Sequence, residues 1–158
     1  RELKGVLDST WKIATDPDHD LEVRIASVNL IGLTGIESEK DRKALFELLN
    51  VSQPATLQAS SCKALLGKGD EKSARKMLQG WKNHSPALRQ VMIDEMVRRK
   101  SLTMLFLKMA KDWRQSGRLG LEVIFLDVRI LKKTLKPHFI GQALQIIILL
   151  NSGNLKVN

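Results

Sequence analysis

The chain has 158 residues, 43% hydrophobic and 27% charged, which is enough for one domain with its own apolar core and too apolar for a disordered segment. A single cysteine, Cys62, excludes an internal disulfide and any multi-cysteine zinc or haem motif within these residues. The net charge of +9 is unevenly placed: residues 1–50 carry ten acidic against seven basic side chains, residues 51–100 four against ten, and residues 101–158 three against nine.

Apolar residues recur at spacings of three and four, strand-like alternation is absent, and breaks fall at Pro17, Pro54, Pro86 and Pro137. The pattern predicts helices over 2–14, from Val23, over 39–49, from Leu57, over 71–82, from Leu88, over 102–111, over about 121–135 and from Ile140. Gln53–Pro54 and Ser85–Pro86 each read as a cap followed by a helix start, because proline at the first helical position gives up an N–H that has no partner there. The longest purely apolar stretch, Ile146 to Leu150, falls far short of the roughly 20 residues of a membrane-spanning helix. The chain opens mid-pattern at Arg1 without an initiator methionine, so residues 1–158 are expected to be one domain cut from a longer protein.

Four of these helices can be laid over one another: VRIASVNLIG from Val23, LQASSCKALL from Leu57, LRQVMIDEMV from Leu88 and IGQALQIIIL from Ile140. Their starts lie 34, 31 and 52 positions apart. Val23, Ala26, Val28 and Ile31 correspond to Leu57, Ser60, Cys62 and Leu65, then to Leu88, Val91, Ile93 and Met96, as an inward stripe requires. The second position reads Arg24, Gln58, Arg89 and Gly141, and six residues before it stand Asp18, Ser52 and Asn83, expected to accept from N–H groups at the helix start. Two amphipathic helices cannot bury both apolar faces alone, whereas stacked pairs share a continuous core. The expected fold is all-α, a right-handed αα-superhelix of about four helix pairs, with a closed helical bundle as its rival.

DHDLEVRIASVNLIG, in which an acidic turn precedes a second helix opening with a Val–Arg pair, resembles the HEAT repeat. LNVSQPATLQASSCKALLGKGDEKSARKMLQGWKNHSPALRQVMIDEMVRR, together with Phe125–Arg129 and PHFIGQALQIIILL, is similar to the HEAT segment of planctomycete-type membrane-bound dehydrogenases. In those large proteins a sugar-dehydrogenase-like propeller, HEAT repeats and a c-type haem domain follow one another. The similarity spans residues 13–150 and implies an extracytoplasmic, periplasmic setting with the flanking domains as partners. Haem attachment through Cys-x-x-Cys-His needs two thiols, and this chain has one, so neither a cofactor nor dehydrogenase activity carries over to its residues.

The sequence therefore predicts a scaffold without chemistry of its own, working through the face of its second helices, with Arg24, Gln58, Lys63, Arg89, Arg98, Arg99 and Trp113 as candidate contacts. Arg24 and Arg89 alternatively bridge successive repeats. His19, His84 and His138 fall in successive turns about 10 Å apart, too far to share a metal. Asp16, Asp18 and Asp20 read as helix-start charge, and Gly67–Lys68–Gly69 as an interhelical turn and not a phosphate loop. Trp11 and Trp81 read as core; Trp113, near Lys111, Arg114 and Arg118, is placed beside a loop. The basic excess leaves one rival from another class, a nucleic-acid-binding HEAT-like domain related to DNA alkylation-repair glycosylases. The apolar last helix, stopping at Asn151, predicts weak self-association through the C-terminal end.

Overall fold

The computed structural model describes residues 2–34, 36 and 38–115, and these hold seven α-helices, one short 3-10 turn and no strand. The helices are α1 (Glu2–Thr15), α2 (Leu21–Thr34), α3 (Glu39–Glu47), α4 (Ala55–Leu66), α5 (Glu71–Gln79), α6 (Pro86–Val97) and α7 (Lys100–Gln115). Each expected helix up to residue 111 is present; those expected at about 121–135 and from Ile140 lie outside the described residues. The helix expected over 71–82 ends at Gln79, where Gly80 breaks it and Trp81–Asn83 turns as 3-10.

Local chemistry explains the boundaries. Ser38 and Asp41 form a reciprocal capping box at the start of α3, and Asp70 caps α5 by accepting from the Lys72 N–H. Pro86 is the first residue of α6, and the Ser85 hydroxyl accepts from Leu88 N–H at 3.2 Å. Pro54 sits one place earlier than expected, as the residue before α4. The acceptors expected at Asp18, Ser52 and Asn83 are displaced as well. Asp16 and Asn50, 34 residues apart, each accept from the N–H two residues on, which is the turn that short acceptor side chains form inside a loop. Asp20 then accepts from Glu22 N–H at the start of α2.

The described residues fall into two compact units that part after Glu95, in the last turn of α6. In the first unit α1 packs on α2, α2 on α4, and α4 on both α3 and α5. The α2–α4 contact is close because Gly32 faces Ala64: a Cβ added at Gly32 would lie 3.1 Å from both the Cα and the Cβ of Ala64. The helix α3 is tied to the start of α5 by charge. Arg42 of α3 donates from Nε to Asp70 at 3.0 Å and reaches Glu39 at 2.7 Å, while Lys72 of α5 meets Glu39 at 2.8 Å.

The expected inward stripe holds on α4, where Leu57, Ser60, Cys62 and Leu65 are all buried, and on α6 for Leu88, Ile93 and Met96. On α2 it is half right. Val28 and Ile31 are buried, but Val23 is 46% exposed and Ala26 is exposed too. The physical reason is packing: α4 is surrounded by α2, α3 and α5, whereas α2 packs on α1 and α4 and leaves Val23 and Ala26 exposed. In the second unit Leu102, Leu105 and Phe106 are buried along α7, and the Thr103 hydroxyl donates to Met96 O and Arg99 O at 3.1 and 2.9 Å.

Candidate interaction surface

The three aligned polar residues, each the fourth residue of its helix in α2, α4 and α6, do one recurring job. Each sits in the first helical turns, where a long side chain can fold back toward the end of the preceding helix, whose last carbonyls lack helical partners. Arg24 Nε donates to Ala14 O at 3.3 Å, Gln58 Nε2 to Asn50 O and Gln53 O at 3.0 and 2.8 Å, and Arg89 to Trp81 O and Lys82 O at 3.0 and 3.1 Å. Arg24 also reaches across to the next pair, donating from Nη2 to Gln53 Oε1 at 3.3 Å. The side chains are withdrawn accordingly: Arg24 is 5% and Gln58 6% exposed, and Arg89 is half-buried with its guanidinium 5.8 Å from the Trp81 ring centroid. Arg24 thus joins the end of α1 to the turn before α4, and Arg89 holds the turn between α5 and α6.

The accessible candidates are Lys63 in the first unit and Arg98 in the second, with Arg99 half-buried. Lys63 lines an open groove of about 430 Å³ between the C-terminal ends of α2 and α4, together with Asn29, Gly32, Leu33, Ala64, Gly67 and Lys68. Lys68 spans the groove's end, donating to Thr34 O at 3.1 Å. Gly67–Lys68–Gly69 is the expected turn, and Gly69 adopts a φ of 78°, a backbone state that favours glycine. Trp113 lies in the last turn of α7; its side chain, like Arg118 and His138, lies outside what is described. Sequence reasoning missed the Arg42–Asp70 tie and the groove. An Asp–x–x–Ser pattern at 70–73 was the available signal for the first, since Ser73 donates to Asp70 at 2.6 Å.

Among the described residues no three His, Cys, Asp or Glu side chains cluster as a metal site. Cys62 is fully buried, and that burial, reinforced by the nearby Glu95 charge, pushes its thiol far above the ordinary range. Such a thiol stays protonated and is a poor nucleophile. Asp70 is held below the usual carboxylate range: burial pushes it up, but the Ser73 hydroxyl and Arg42 outweigh that.

His19 occupies an exposed turn, 3.1 Å from Asp16. His84 differs, being folded inward so that its Nε2–H donates to Met77 O at 3.1 Å. Burial lowers its affinity for a proton, as does the Arg89 charge, against the opposing effect of the Met77 carbonyl. The unfolded chain then takes up a proton before the folded one does, so this residue's contribution to stability is present above about pH 6.5 and is lost as pH falls below it. We expect the drop in urea midpoint between pH 7.5 and 5.5 to shrink in His84→Gln; an unchanged drop would refute that assignment.

Comparison with protein-family models, with curated proteins and with solved structures finds no match to this chain.

Proposed function

We propose that the chain is a right-handed αα-superhelix of HEAT-like pairs that acts as a non-catalytic scaffold, holding flanking domains or partner proteins together. The observation that carries it is the repeated clamp: Arg24, Gln58 and Arg89, at one register of α2, α4 and α6, all donate to carbonyls at the end of the preceding helix or in the turn that follows it. The same unit built three times, with α2 on α4 and α3 tied to α5, is how stacked pairs share a core. On the HEAT resemblance, the setting is a larger extracytoplasmic protein of the dehydrogenase and cytochrome kind, with this segment as the spacer between its working domains.

One specific observation favours a second function, binding to a nucleic acid backbone. Residues 51–158 hold nineteen basic against seven acidic side chains, Arg98 among the exposed ones. Fluorescence anisotropy with a labelled 20-base-pair duplex separates the two. A scaffold shows no binding at 150 mM salt with up to about 10 µM protein. Tight binding with a steep salt slope, weakened by Arg98→Glu with Arg99→Glu, would replace the scaffold with the nucleic-acid domain.

A further inference from the structure

The groove at the C-terminal ends of α2 and α4 brings an uncovered apolar hollow together with positive charge that nothing balances. Gly32, Ala64 and Gly67 line it with nothing longer than a methyl group, and Leu33, 78% exposed, adds a large apolar side chain. Its volume of about 430 Å³ falls in the range of about 300–1,000 Å³ in which ligand pockets are built. The hollow is also kept open by its backbone: a Cβ added at Gly67 would come within 2.7 Å of Lys63 O, so a side chain there could not fill the space without displacing α4.

Two ammonium groups, those of Lys63 and Lys68, line the groove, and no carboxylate does. Lys63 has no ion-pair partner among the described residues, and Lys68 donates to a neutral acceptor, Thr34 O. The ends of α2 and α4 each place about half a negative charge nearby, so the two lysines leave the groove about one charge positive. No acidic residue of either helix is placed to cancel it. α4 has none, and Glu22 of α2 stands in the first turn, about 15 Å along the axis from Gly32. Asp70, two residues beyond Lys68, is already engaged by Arg42 and Ser73.

Building on the scaffold reading, we infer that this groove takes a short acidic segment of a partner protein, one leucine seated against Gly32, Ala64 and Leu33 and flanking carboxylates meeting Lys63 and Lys68. Charge complementarity selects an anion. The apolar lining selects an anion with a hydrocarbon side chain beside it, which a nucleic acid backbone does not offer. Asn29, exposed in the same lining, supplies an amide that can both donate to and accept from the segment's backbone.

The probe is a fluorescein-labelled peptide, Gly-Asp-Glu-Asp-Leu-Asp-Glu-Gly, titrated with the whole chain at 150 mM salt and followed by anisotropy. A Kd on the order of 100 µM is expected, as a contact this small gives transient binding. Replacing the probe's leucine by alanine should weaken binding by about 10-fold, the effect of losing one buried leucine side chain. Lys63→Glu should weaken it by about 10-fold or more. Both Lys63 and Leu33 are exposed, so Lys63→Glu and Leu33→Ser should keep the parent's helical circular dichroism and thermal midpoint, and Leu33→Ser should bind about 3-fold more weakly. Arg98→Glu, in the second unit, changes net charge by the same amount as Lys63→Glu and controls for general attraction to a chain of charge +9; its Kd should stay within about 2-fold of the parent's. No binding at 1 mM protein, equal binding of the alanine probe, or equal losses in Lys63→Glu and Arg98→Glu would each overturn the proposal. So would a mass above 17.8 kDa for the chain alone that Lys63→Glu abolishes, because a second copy would then occupy the groove. The scaffold reading itself stands or falls on the duplex titration, which these outcomes leave untouched.

Discussion

Replacing Arg24 with alanine is expected to lower the unfolding free energy by about 2–4 kcal/mol, measured by urea denaturation of the dilute chain. Two charge-assisted hydrogen bonds disappear, each of the kind worth about 1.5–3 kcal/mol when a charged donor is involved. Ala14 O at the end of α1 is left with one fewer donor, and the gap where the aliphatic stem lay adds a packing loss. Part of this is offset because the buried guanidinium no longer has to be desolvated. Arg24→Gln should cost less than half as much, since Gln58 clamps two carbonyls with a single amide at the equivalent register. Arg24→Lys should fall between them, its compact ammonium lacking the fork that reaches Ala14 and Gln53 together. An alanine variant within about 0.5 kcal/mol of the parent would show that the clamp contributes little.

The second large effect contrasts two residues that the sequence pattern treats as equivalents. Leu57→Ala should destabilise by about 2–5 kcal/mol, the usual range for truncating a fully buried leucine when the surroundings collapse only in part. Val23→Ala, one register earlier, should change dilute-chain stability by less than about 0.5 kcal/mol, because Val23 is half in solvent and alanine is the better helix former. Equal losses at the two positions would mean that Val23 is buried in the protein in solution. Measuring both below 10 µM keeps any self-association out of the comparison.

These two pairs show what the sequence could and could not convey. Periodicity and proline breaks placed seven helices, because apolar spacing and missing N–H groups act within a few residues of chain. The 34-residue register was legible for the same reason, and it picked out Arg24, Gln58 and Arg89 as one position. Direction was not legible there. A long polar side chain in the first turns of a helix can extend into solvent or fold back onto the preceding turn, and the choice depends on carbonyls five to ten residues away whose orientation no local pattern reveals. Burial of Val23 depended on something further still, a neighbouring helix against one side of α2. Short-range capping was misplaced by two residues because Asp16, Asp18 and Asp20 are chemically alike, and only turn geometry decides which of them accepts.

The clamps also constrain how such a chain can change its length over evolutionary time. Each turn inside a pair is measured by a side chain that must still reach a fixed carbonyl, so an inserted residue between Thr15 and Leu21, or between Asn50 and Ala55, would pull the donor out of register. The turn from α4 to α5 has no such clamp and is held by other contacts, Lys68 with Thr34 O and Asp70 with Arg42. Insertions and deletions should therefore be rare in the α1–α2 and α3–α4 turns, and a library of single-residue insertions would record that directly.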